Sequence, residues 1–244
     1  MTAVEVYQAV LAELKHENTT SMTPAEFRYH SKVAQIEYLN LRYMAFDQHQ
    51  KPIDDLAVWH IETNGVGGNP SPILNTGAMS PGQDIFLLPE NYAHLLNVQA
   101  KVKYVGEPCR TNGTESDWIP AKYVDDSQEK TILHHYYQKP QARYPRLRYK
   151  SRVSNLRHIL QILAGQSIPT QVRITYLRLP TPIVMDDNYQ NVYGSELSDP
   201  QTLEIVKWCV FSYLEKIESI RQQTLAQLLG ATNQIYPPYP PQVD

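Results

Sequence analysis

Two cysteines in 244 residues, Cys109 and Cys209, far apart and without a CxxC or histidine spacing around either, leave nothing from which to build a disulfide framework or a thiolate metal site. They read as reduced thiols in a cytosolic setting, Cys209 as a small apolar group on the last helix. Charge of one sign is also lacking. A formal net charge of −3 excludes a free-standing nucleic-acid binder that must neutralise many phosphates, so any DNA contact is expected to be weak or local. No apolar run approaches the roughly eighteen residues of a membrane span. The opening Met1-Thr-Ala-Val-Glu-Val-Tyr has no basic stretch followed by an apolar one. The expectation is a protein assembled in a cytoplasm, with no membrane partner. The sequons at Asn18 and Asn112 then carry no meaning. Glycine and proline stay below disordered levels and 42% of residues are hydrophobic, enough to bury a core in one sizeable domain or two small ones.

Chemical signatures are equally sparse. Of eight histidines only His134 and His135 are adjacent, and on a strand neighbouring side chains point to opposite faces, so no metal site is expected. Asn64-Gly-Val-Gly-Gly leads into Asn69-Pro-Ser-Pro rather than a helix, which favours a plain loop over a phosphate cradle. There is no GxSxG, HExxH or Walker-type lysine, and Asp125-Asp126 and Asp186-Asp187 fall in turns, where acidic pairs are usually solvated. The expectation is a protein that is not an enzyme and takes no cofactor.

What is present is a layout: helices, a β-rich middle, a helix. Val4, Tyr7, Val10, Leu11 and Leu14 recur at helical spacing and predict a first helix over 3–16. Thr23, Pro24 and Glu26 form a capping-box signature that opens a second helix running to about Gln50. Its apolar residues, Phe27, Val33, Ala34, Ile36, Tyr38, Leu41, Tyr43 and Met44, cover far more than one stripe and leave a polar arc of Arg28, Ser31, Lys32, Gln35 and Arg42. Such a helix has neighbours on more than one side. From Leu56 to about Val184, short apolar or alternating runs separated by turn residues suit an antiparallel sandwich or barrel, the runs being 85–88, 98–105, 118–124, 131–137, 146–153, 158–164 and 172–179. After a polar turn at 185–189, a last helix opens at Ser198-Asp-Pro and runs towards Gly230, with Leu203, Val206, Val210, Tyr213, Ile217 and Ile220 as a coiled-coil-like seam. The Pro-rich end, Ile235-Tyr-Pro-Pro-Tyr-Pro-Pro, is expected to be extended. The fold class is therefore α+β. Residues 1–55 are expected to bundle with 196–230, around a β-rich body at 56–195 and a tail at 231–244.

One polar pattern stands out. On a strand, Arg146, Arg148, Lys150 and Arg152 share one face and Leu147, Tyr149 and Val153 the other. Four like charges repel, so something anionic should sit opposite. Nearby carboxylates and solvent on an exposed sheet face would do, as would an acidic partner or DNA phosphates.

The order of Thr23-Pro-Ala-Glu-Phe, Gln35-Ile-Glu-Tyr-Leu-Asn, Leu88-Pro-Glu-Asn-Tyr-Ala-His-Leu, Val172-Arg-Ile-Thr-Tyr-Leu-Arg-Leu-Pro, Ser195-Glu-Leu-Ser-Asp-Pro, Glu204-Ile-Val and Tyr213-Leu-Glu-Lys-Ile resembles the head-to-tail connector ring proteins of tailed bacteriophages, particularly of crAss-like phages. The resemblance spans about Thr23 to Gln227. It implies a structural virion protein without catalytic residues, forming a homo-oligomeric, twelvefold ring in the neck between portal and tail, with DNA passing through the channel unread. Portal and neighbouring connector or tail proteins are the implied partners. It also moves the Arg146 to Arg152 ladder towards a ring-to-ring contact. The helix seam, with Phe27, Val33 and Ile36, is the expected subunit interface. Rival readings are a sixfold tail-tube or terminator subunit, a monomeric cytoplasmic β-sandwich binding module, and an enzyme with an unrecognised site.

Overall fold

The computed structural model describes residues 1–16, 22–45, 54–65, 70–74, 83–106, 110–124, 139–153 and 157–216. The chain is α+β with antiparallel sheets, and it divides into two compact units, 1–59 with 179–244, and 60–178. The hairpin segment 179–195, expected in the β body, belongs with the helices.

In the first unit, α1 (Ala3–His16), α2 (Pro24–Met44) and α3 (Asp199–Lys216) pack together beside a two-stranded hairpin, β10 (Val184–Met185) with β11 (Asn191–Tyr193). The α2 start forms as its sequence dictates. Thr23 Oγ1 accepts the Glu26 amide at 3.3 Å, and the Glu26 carboxylate accepts the Thr23 amide at 3.0 Å. At the head of α3, Gln201 Oε1 accepts from both the amide and the hydroxyl of Ser198. Ala3, Val6, Tyr7, Val10 and Leu14 of α1, Phe27, Ala34, Tyr38 and Leu39 of α2, and Ile205, Val206, Cys209, Val210, Tyr213 and Leu214 of α3 are all buried. The Met1 amino group meets Asp199 at 3.0 Å, and its carbonyl accepts the Ser195 amide at 3.0 Å. These contacts tie the chain start to the head of α3.

The second unit holds two sheets. One has the order β1 (His60–Glu62), β9 (Ile168–Arg178), β4 (Tyr92–Lys103), β5 (Ile119–Pro120), with β2 (Ile73–Leu74) also on β9. The other runs β3 (Gln83–Leu87), β8 (Arg157–Leu163), β7 (Arg146–Val153), β6 (Lys122–Tyr123), the short β6–β7 pair being parallel. Strand alternation explains the core. Val98, Ala100 and Val102 of β4 and Val172, Ile174 and Tyr176 of β9 share one apolar cluster with Phe86, Leu147, Leu160 and Ile162 of the other sheet. β4 begins six residues before the expected run, because Tyr92 to Asn97 continue the ladder with β9.

Thr63 closes the end of β1. Its hydroxyl accepts the Ile174 amide at 2.8 Å and lies 3.3 Å from the Ile174 carbonyl. The segment 131–137 lies outside the described residues, as do 46–50 and 217–230, onto which α2 and α3 were expected to extend.

Candidate functional site

The helix seam does not stand open as expected. Val206, Val210 and Tyr213 of α3 and Phe27 of α2 are at most 4% exposed within the single chain. They form the core between its own helices, which an amphipathic helix fills first because burying such a side chain contributes about 1.5–3 kcal/mol. Leu203 is exposed, and Ile217 and Ile220 lie outside the described residues.

The polar arc of α2 is divided. Of its five residues Ser31, Gln35 and Arg42 are buried, while Arg28 and Lys32 are exposed. Gln35 pairs with backbone as a strand would, its amide nitrogen donating to the Thr181 carbonyl at 3.1 Å and its oxygen accepting the Ile183 amide at 3.2 Å. A buried polar group is tolerated where both of its functions find partners.

With that face inward, the opposite face of α2 carries Tyr29, Val33, Ile36 and Tyr43, joined through Asn40 at steps of four, three, four and three. Tyr29 and the neighbouring Met44 are exposed, while Val33, Ile36 and Tyr43 are half-buried. Exposed Lys32 and Glu37 flank this apolar row on either side. On α3, Trp208 and Phe211, one turn apart and half-buried, meet edge-on at 6.1 Å. Val33 and Ile36 are thus the two expected interface residues that, with Leu203, lie at the surface of the unit.

Behind the stripe sits a charged cluster invisible in the sequence. The guanidinium of Arg42 pairs with Glu204 of α3 and lies 3.2 Å from the Asp55 carboxylate, above the Tyr38 ring at 4.8 Å. Gln201 Nε2 donates to Asp55 at 2.6 Å, and Trp59 Nε1 donates to Glu196 at 2.9 Å. Burial drives the Tyr38 phenol well above its ordinary pKa, so it stays neutral. His30, buried against Tyr213 with its Nδ1 2.9 Å from Ser212 Oγ, is held below the ordinary histidine pKa by desolvation, with Lys216 pushing the same way and Glu26 opposing. Burial likewise raises the Cys209 thiol to about 12, making it an inert apolar filler.

The sequence matches no family model. No curated protein matches it either.

The basic ladder of β7 is only partly as expected. Arg146 and Arg148 pair across the strand with Leu163 and Gln161, so they share a face away from the apolar cluster, and the register continues to Lys150 opposite Ile159. A register shift between Lys150 and Val153 then breaks the alternation, and the period of two no longer assigns Arg152 or Val153 a face. Nor is this an open, solvated face. Ile159, Gln161 and Leu163 beside the arginines are at most 3% exposed, and Arg146 and Arg148 are themselves half-buried.

On the other sheet, Arg173 of β9 lies over the Trp118 ring at 4.5 Å, with Lys101 of β4 5.8 Å from the same ring and 3.6 Å from Glu115. Alternation within β4 and β9 could have placed these two cations on one face, but nothing in the sequence marks Trp118 as the surface they share. Asp186 organises the hairpin turn by accepting the Asn188 and Gln190 amides, and Asp187 lies 3.5 Å from Arg28. Among the described residues no group of three or more His, Cys, Asp or Glu is placed to hold a metal ion, and no helix is long and apolar enough to cross a membrane. His134, His135, Asp125, Asp126 and Cys109 lie outside the described residues.

Proposed function

We propose that the protein is a structural virion subunit that forms an oligomeric ring, dodecameric in the connector reading, stacked between portal and tail around the DNA channel, with a sandwich or barrel body flanked by long helices. The observation that carries this reading is the outward stripe of α2. Tyr29, Val33, Ile36 and Tyr43 repeat at the three-and-four spacing through which one helix seats against another, on the face opposite the helix's own core. A stripe that meets a different surface on the next copy makes a heterologous contact, and such contacts close into a ring when the rotation per subunit divides the circle. The sequence resemblance to phage connector rings supports the same assignment.

The test is a double substitution, Val33→Glu with Ile36→Glu, which keeps helix propensity and leaves the inward face intact. Sedimentation should show the wild type as a closed oligomer and the variant as a folded monomer. Oligomers of unchanged mass in the variant would remove the stripe from the interface.

A further inference from the structure

Between Lys139 and Val153 the chain carries six Lys or Arg residues and no Asp or Glu, although its net charge is −3. Positive charge is therefore segregated into one short stretch. Along the middle of β7 that charge is covered, as the burial of Gln161 and Leu163 beside Arg148 and Arg146 shows. The start of the stretch is open.

There Gln141 and Tyr144 bridge across a tight turn, the Tyr144 amide donating to the Gln141 carbonyl at 3.0 Å. Lys139 stands on one arm of the turn, Arg143 at its tip, and Tyr144 and Arg146 on the other arm, which continues into β7. Pro145 and Leu147 are buried while Tyr144 is 67% exposed and Arg146 half-buried, so alternation puts Tyr144 and Arg146 on the side away from the core. β6 adds Lys122 to that side. It pairs in parallel with Arg146, and its amide donates to the Pro145 carbonyl at 3.2 Å.

Lys122, Lys139 and Arg143 are exposed. Neither they nor Arg146 have an ion-pair partner among the described residues, and the Arg146 Nε finds no acceptor there. By contrast, Arg28, Arg42, Lys101 and Lys216 each meet a carboxylate. Unpaired like charges held side by side repel and favour an anion opposite them.

The side chains on this edge say which kind of anion. A protein interface centres on apolar, charge-poor surface, whereas a nucleic-acid interface is polar and strongly positive. Here the outward positions are lysine, arginine and a tyrosine hydroxyl that can donate, which matches the second kind. Arg143 to Arg146 spans at most about 10 Å of chain, the axial length of about three phosphates on one strand of a duplex.

We propose that Lys122, Lys139, Arg143 and Arg146, with the Tyr144 hydroxyl, form a contact site for the phosphate backbone of duplex DNA, bound without reading its sequence. The site lies within the second unit and is complete in one copy. It rests on the ring reading only for where the duplex is met, since a ring would repeat the patch once per subunit.

The experiment follows fluorescence anisotropy of a labelled random-sequence duplex as the full chain is added, with the mass of the protein read on the same samples. Affinity should fall by about fortyfold or more between 50 and 200 mM salt, and two unrelated sequences should bind alike. Lys122→Gln with Arg143→Gln, both at exposed positions, should weaken binding by about tenfold and flatten the salt slope by about one for each charge removed, with mass and melting temperature unchanged. Lys207→Gln, an exposed lysine of the other unit, should leave binding as it is. A monomer that binds the duplex in this way upholds the site and removes the ring. No binding at 50 mM salt, or a slope that the double variant leaves unchanged, would overturn the proposal. So would polyglutamate binding as tightly as the duplex at equal charge, since the patch would then be a dock for an acidic protein.

Discussion

Arg42 of α2 and Glu204 of α3 form an ion pair buried on its Arg42 side, and the Asp55 carboxylate, 3.2 Å from the same guanidinium, ties both helices to the short turn at 54–56 that follows α2. Arg42 is 1% exposed, so its charge is matched by neighbours rather than by water. Arg42→Met should leave the Asp55 carboxylate without its counter-charge beside that of Glu204 and lower unfolding stability by about 3 kcal/mol, the low end for a buried pair because Glu204 keeps some contact with water. Urea unfolding measures it, and a double cycle with Glu204→Gln isolates the pair. A loss below about 1 kcal/mol would mean that solvent, not Arg42, balances these carboxylates.

Val210, 3% exposed, separates folding from assembly. Val210→Asp buries an unpaired carboxylate in the helical core and should cost several kcal/mol, melting the first unit rather than merely dissociating oligomers. Circular dichroism would show the helical signal lost or its melting temperature sharply lowered. A folded monomer from this variant would instead make Val210 an interface residue.

Acid should weaken the fold through His30. Its folded pKa lies below the unfolded value, so as pH falls below about 6.5 the unfolded chain binds a proton that the folded chain resists, and stability drops. His94, lowered by desolvation, acts in the same direction in the other unit. Unfolding free energy measured from pH 7.5 to 5.5 should decline, and His30→Gln should flatten that decline. An unchanged slope would show that His30 does not drive it.

Gly165, with φ of 71°, sits in the turn between β8 and β9, where an added Cβ would stand 2.8 Å from the Pro140 carbonyl oxygen. Gly165→Ala adds both a left-handed alanine and a backbone clash, and should lower stability by about 1–3 kcal/mol in thermal or urea unfolding. Retained stability would imply that the turn relaxes at no cost.

Local signals in the sequence proved most legible. Thr23, Pro24 and Glu26 announce the start of α2 because a cap is written in four adjacent residues, and the period-two runs at 146–153 and 172–179 announce β7 and β9 because alternation is a local property. Direction was harder to read. On α2 the wheel groups Gln35 and Arg42 in one polar arc with Arg28 and Lys32, and it cannot show that the Thr181 to Ile183 backbone and Glu204 satisfy the first two inside. Spacing marks the seam of α3, but it does not say whether the neighbour is the same chain or another. The β7 ladder failed at Lys150, where one extra residue shifts the register, and the burial of Gln161 beside Arg148 depends on packing that strand pattern does not encode. Short pieces such as β2 and β10 carry too few residues for any period to show.

Assembly into a closed ring is the step on which the proposed role depends. Mass by light scattering together with class averages from negative-stain images, for the purified protein alone and mixed with a phage portal, tests it most directly. Closed rings of many copies of the 28.0 kDa chain, twelvefold and stacked coaxially on the portal, are the expected result. A compact monomer that stays monomeric with and without the portal would contradict it.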